Sequence, residues 1–139
     1  YCIEDSTPCT SCSTVTVNVQ PSPDASNSGP FTGCANNPFA GNLNDFMLSG
    51  TPPFNFVGGN EVNGVLDLLV TGPFTFTPAA IGFASFDYSA VDFYGCQSNT
   101  GTISFNAQES PTITGTSPLN ACENGFVTGT VTATASPGL

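Results

Sequence analysis

Residues 72–92 read GPFTFTPAAIGFASFDYSAVD, and this stretch decides the fold. Phe74 and Phe76 alternate with Thr75 and Thr77; Phe86, Tyr88 and Ala90 alternate with Asp87, Ser89 and Val91. A period of two with aromatic residues on one side predicts two half-buried strands. Pro78 and Gly82 flank a turn that stops one strand before the next begins. Four rings then share one core, and each buried ring contributes about 2–3 kcal/mol of transfer free energy.

The same pattern extends outward. Ile103 and Phe105 alternate with Thr102 and Ser104, Val15, Val17 and Val19 alternate with Thr14, Thr16 and Asn18, and Phe54 and Phe56 alternate within 53–57. Residues 64–70 form an apolar run interrupted by Asp67, and 126–134 read as a further strand. Gly, Pro, Asn and Ser clusters separate these segments at roughly the 8–12-residue spacing of an all-β sandwich. No helical stripe of any length occurs. The predicted core is Phe74, Phe76, Phe86, Tyr88, Ile103 and Phe105.

Composition narrows the function. The 139 residues include no Lys, Arg, His or Trp and ten carboxylates, for a formal charge of −10. Without imidazole there is no Ser-His-Asp or Cys-His catalysis and no His-ligated metal. Without amines there is no Schiff base. Phosphate backbones and anionic membrane surfaces repel such a chain. Charged residues are only 7%, well below the usual quarter, and Ser, Thr and Asn carry the polarity. Twelve Phe make disorder a poor reading. Six Cys point to an oxidising, extracellular or cell-surface setting. No apolar run approaches the length of a membrane-spanning helix. Tyr1 stands first, with no basic segment ahead of an apolar run, so a processed product or an excerpt of a longer chain is expected.

The chain repeats itself at an offset of 88. Thr10–Asn44 lies on Ser98–Thr132 without a gap, and nine of 35 positions are identical, among them Pro23/Pro111, Pro30/Pro118, Cys34/Cys122 and Gly41/Gly129. Background frequencies of several per cent per residue give about two or three identities by chance. Val15/Ile103, Val17/Phe105, Phe31/Leu119 and Leu43/Val131 agree in character. A period this long suits a string of sandwich domains. The organisation expected is a C-terminal hairpin of a preceding module (1–20), a linker (21–33), one complete module (34–108), a second linker (109–118) and the N-terminal strands of a following module (119–139).

Gly72–Ala80, Gly82, Ser85–Asp92 and Gly95 together resemble the G-x-F-T-Y-T-P…G…S-F-x-Y-x-V-x-D-x-x-G signature of bacterial cadherin-like and Ig-like tandem repeats. Thr102–Phe105 is similar to their final strand and Gly41–Leu43 to their opening, while Ala90 stands where the family usually has Val. The resemblance spans 34–108. It implies an Ig-like, cadherin-like antiparallel β-sandwich of the kind strung along extracellular adhesins, stalks and filaments. The family's calcium-binding carboxylate pairs have no clear counterpart, since no D-x-D occurs. Calcium at a domain joint through Glu4, Asp5 or Asp92 is set against solvated carboxylates that keep the surface soluble.

In such a sandwich the last hairpin turn shares a pole with the module's first residues, which pairs Cys34 with Cys96 inside the complete module. Cys122 is then the equivalent of Cys34, and Cys9 falls within one residue of the Cys96 position. Both await partners from neighbouring modules or subunits, including each other across a subunit joint. Cys2 and Cys12 are left to bridge the N-terminal hairpin, against side-chain parity and therefore with a bulge. Cys9-x-x-Cys12 as a metal or redox motif lacks a second C-x-x-C and any His.

The function expected is structural, not enzymatic: a repeat unit of an extracellular filament or adhesin stalk, joined head to tail to copies of itself or to neighbouring modules. Two architectures fit, a covalent array and strand complementation between subunits. The alternative is a glycan- or protein-binding adhesion module using Phe93, Tyr94 and Asn99. Ser/Thr runs at 10–16, 112–117 and 128–136 suit O-glycosylation or simply outward strand positions. No cofactor is expected.

Overall fold

A computed structural model describes residues 2–4, 6, 10–115 and 131–134; for Glu4, 112–115 and 131–134 it describes backbone only. The strands are β1 (Cys2–Glu4), β2 (Thr10–Cys12), β3 (Asp24–Ala25), β4 (Ser28–Cys34), β5 (Phe39–Asn42), β6 (Met47–Ser49), β7 (Asn55–Val62), β8 (Gly64–Leu68), β9 (Pro73–Pro78), β10 (Gly82–Val91), β11 (Gly101–Gln108), β12 (Thr112–Gly115) and β13 (Val131–Thr134). A 3-10 turn, Leu43–Phe46, joins β5 to β6. The fold is all-β and sandwich-like.

Two sheets enclose the core. One has the order β4-β11-β10-β7 and the other β5-β9-β8, while β3 pairs with β6. All pairings are antiparallel except β4 with β11, which run parallel. Asn63, at φ 52°, is the single residue that turns the chain from β7 in one sheet to β8 in the other. Its amide donates to the carbonyls of Ala80 and Phe83, at 3.0 and 3.1 Å, which holds that corner closed.

The core is a stack of rings from facing sheets. Phe74 and Phe76 of β9 meet Phe86 of β10 edge-on and tilted, with centroids 5.1 and 5.3 Å apart. Phe76 also stacks on Phe105 of β11. Phe74, Phe76, Phe86, Tyr88, Ile103 and Phe105 are all buried, and Leu43, Phe56, Ala84 and Ala90 join them. The alternation in 73–78 and 82–91 sends these side chains to one face, as a pleated strand requires. Two rings lie over cross-strand glycines. Phe74 covers its register partner Gly41, and Tyr88 covers Gly101, where a built Cβ would sit 2.7 Å from the ring.

The structure moves two boundaries. Residues 21–33, expected as a linker, hold β3 and most of β4. β4 belongs to the four-stranded sheet because Phe31 packs against Phe105, with centroids 6.0 Å apart, and Gly29–Pro30 is compatible with an edge position. In the second linker, 109–118, β12 begins at Thr112. The strand expected at 14–19 is not formed: Val15, Val17 and Val19 are 67, 75 and 87% exposed. Their counterparts at the 88-residue offset, Ile103 and Phe105, are buried against β9 and β10. No described residue offers 14–19 such a surface, and an amphipathic strand gains its stability from that burial.

Candidate functional site: two cysteine-bearing poles

The strands run between two poles. At the upstream pole lie the chain's approach to β3, the turn after β10 and the start of β11. At the downstream pole lie the end of β4, the β9–β10 turn and the end of β11.

The upstream pole is organised by Asp92. Its Oδ1 accepts from the N–H groups of Tyr94 and Cys96, both at 2.9 Å, and its N–H donates to the Cys96 carbonyl at 3.0 Å. This closes a tight loop that displays Phe93 and Tyr94, 65 and 55% exposed, with rings edge to face at 5.2 Å. Asp92 Oδ2 is buried without a hydrogen-bond partner, the only such side-chain atom among the described residues. The Phe93 N–H donates to the Thr51 carbonyl, and neighbouring Gly50 packs against Pro23, so Cys96 sits at the pole where the chain approaches β3.

Asn99 is exposed, as expected, and its side chain also brackets β3. Its Oδ1 accepts from Ala25 N–H at 2.7 Å and its Nδ2 donates to the Ala25 carbonyl at 2.9 Å, a side-chain pairing of β3 in addition to its strand partner β6. Tyr88 adds a second tie there, donating from its hydroxyl toward the carbonyls of Ser26 and Phe46. Burial pushes the Tyr88 phenol above its ordinary value, with the charge of Asp24 adding to the shift and hydrogen bonding to Ser26 opposing it.

At the downstream pole Cys34 is the register partner of Gln108, the last residue of β11, and the Ala35 N–H donates to the Gln108 carbonyl at 2.8 Å. This overturns the pairing of Cys34 with Cys96. Both thiols are free and half-buried, and the length of β11, about 23 Å at 3.3 Å per residue, separates their poles. The sequence argument fails because β4, parallel to β11, carries the chain away from Cys96 before Cys34 is reached. A disulfide needs Cα atoms roughly 4.4–6.8 Å apart. Cys2 and Cys12 do bridge, as direct register partners across β1 and β2, so no bulge is required. Cys9 and Cys122 lie outside the described residues.

Among the described residues no group of three or more His, Cys, Asp or Glu converges. Asp87 is held by Asn60 at 3.0 Å and Thr102 at 2.7 Å. A shallow hollow bounded by Gly41, Asp67, Leu69 and Phe74 contains one ionisable side chain, Asp67. Asp5 and the Glu4 side chain, named for calcium, are outside the described residues. No helix among the described residues is long and apolar enough to cross a membrane. No protein-family model matches the chain, and no curated protein matches it.

Proposed function

We propose that residues 24–108 form one immunoglobulin-like module in an extracellular filament or adhesin stalk built of such modules head to tail. The observation that carries this reading is the 88-residue sequence repeat, nine identities in 35 positions, with an antiparallel strand pair on each side of the complete module. β1 and β2 fall at the β10–β11 hairpin end, where Ala90 and Ser98 pair, and they also pair antiparallel. β12 begins at the equivalent of Asp24, where β3 begins, and pairs with 131–134, whose equivalent is the 3-10 turn 43–46 just ahead of β6. Both registers are shifted by a few residues relative to the complete module.

The strand order supports the Ig-like assignment. A split first strand lends β3 to β6 and β4 to β11, and two sheets of the ABED and GFC kind face each other. The ring-filled core and the scarcity of catalytic residue types suit a load-bearing role. The terminal segments 1–20 and 119–139 carry equivalents of 89–108 and 31–51 but none of 52–88.

The test is the mass of native material under denaturing conditions, with and without reductant. A species many times 14.2 kDa that persists after reduction is expected for the array. A ladder collapsing to that mass on reduction would replace it with disulfide-linked subunits. A monomer under both conditions refutes covalent assembly. The ligand-binding alternative rests on exposed Phe93 and Tyr94; adhesion unchanged on replacing both removes it.

A further inference from the structure

We propose that Cys34 and Cys96 are the two halves of an intermodule disulfide: Cys34 of one module bonds the cysteine at the Cys96 position of the module that follows. The inference rests on the tandem reading above and supplies the covalent lock of each joint.

Three observations converge on it. The two thiols are free, half-buried and at opposite poles, one beside each end of the module's chain path. Cys34 lies beside Gln108, where β11 ends, and Cys96 lies on the pole that holds Pro23, just ahead of β3. The connector between modules is short, because β11 ends at Gln108 and β12, the counterpart of β3, starts at Thr112. Three intervening residues let the two strand ends lie at most about 14 Å apart. The downstream pole of one module and the upstream pole of the next are thus held close, and the Cys34 side of one faces the Cys96 side of the other. Finally, the cysteines recur with the repeat: Cys122 stands at the Cys34 position and Cys9 one residue from the Cys96 position. A thiol at each pole of successive modules is the arrangement that a chain of identical joints requires, and Cys2–Cys12 shows that thiols of this chain are placed for bridging.

In the closing step the thiolate of Cys34 attacks a small-molecule disulfide of the extracellular medium and releases one small thiol. The Cys96-position thiolate then displaces the second. Two protein thiols lose two protons and two electrons, one S–S bond forms between modules, and the small disulfide is reduced to two thiols.

Peptide mapping of native material tests this directly. Free thiols are alkylated without reductant, and the protein is digested with chymotrypsin. Disulfide-linked peptide pairs are then sequenced. The expected result is that neither Cys34 nor Cys96 is alkylated until reductant is added. Each is recovered joined to a cysteine from the opposite pole: to each other if subunits are identical, or to the matching position of an adjacent repeat in a longer chain. Full alkylation of both before reduction overturns the proposal, as does a bridge between two downstream-pole cysteines. Neither result touches the tandem reading, which fails only if the reduced mass shows no array.

Discussion

Phe76 of β9 and Phe105 of β11 stack nearly parallel across the two sheets, with ring centroids 4.7 Å apart and planes 15° from each other. Phe105 also touches Phe31 and Phe39, at 6.0 and 5.1 Å, so it ties the edge strands β4 and β5 into the core. Phe105→Ala is expected to cost about 3–5 kcal/mol, the range for a buried ring replaced by a cavity. The urea midpoint followed by circular dichroism measures it. A loss below 1 kcal/mol would mean the two sheets do not depend on this contact.

Tyr88→Phe keeps the ring over Gly101 but removes the donor to Ser26 and Phe46. The Phe46 carbonyl still accepts from the Ser26 N–H and Oγ, so the loss is that of one ordinary hydrogen bond, about 0.5–1.5 kcal/mol. The same phenol gives a signed pH effect. Its folded-state value is raised above 10.0, so its contribution is fully present below pH 10.0 and is lost as pH rises through the higher folded value. Unfolding curves on both sides of that pH should show native stability falling on the alkaline side and a smaller fall in Tyr88→Phe.

Asp92→Ala removes the acceptor that closes the 92–96 turn. The expected loss is about 1–3 kcal/mol, from two backbone donors left without a partner. Hydrogen exchange should report faster exchange at Tyr94 and Cys96 N–H while the β10–β11 core stays protected. A melting temperature of the unmodified protein that rises with calcium would assign the carboxylate a metal role instead.

Phe93→Ala with Tyr94→Ala should leave the isolated protein within about 0.5 kcal/mol of native, because both rings are largely exposed. If they cover the joint between modules, electron microscopy should show native straight filaments becoming flexible or short. Unchanged filaments would assign the pair to another surface contact.

Period-two patterning made β9, β10 and β11 legible, because a ring every second residue has one physical solution on a pleated strand. The core members Phe74, Phe76, Phe86, Tyr88, Ile103 and Phe105 follow from it, and so does the all-β class. The 88-residue repeat was equally visible, since it needs only residue identities. The sequence also excluded amine, imidazole and phosphate-binding chemistry by composition alone. The tertiary structure decided what local pattern cannot carry. The 14–19 segment has the same alternation as β11 yet stays exposed, because alternation specifies a face and not the presence of a surface to cover it. Asn99 became a backbone bracket only because β3 ends beside it. The cysteines show the limit most clearly. Their spacing is a sequence property, but which pole each occupies depends on β4 running parallel to β11, and that pairing is set by burial of Phe31 against a strand more than seventy residues away.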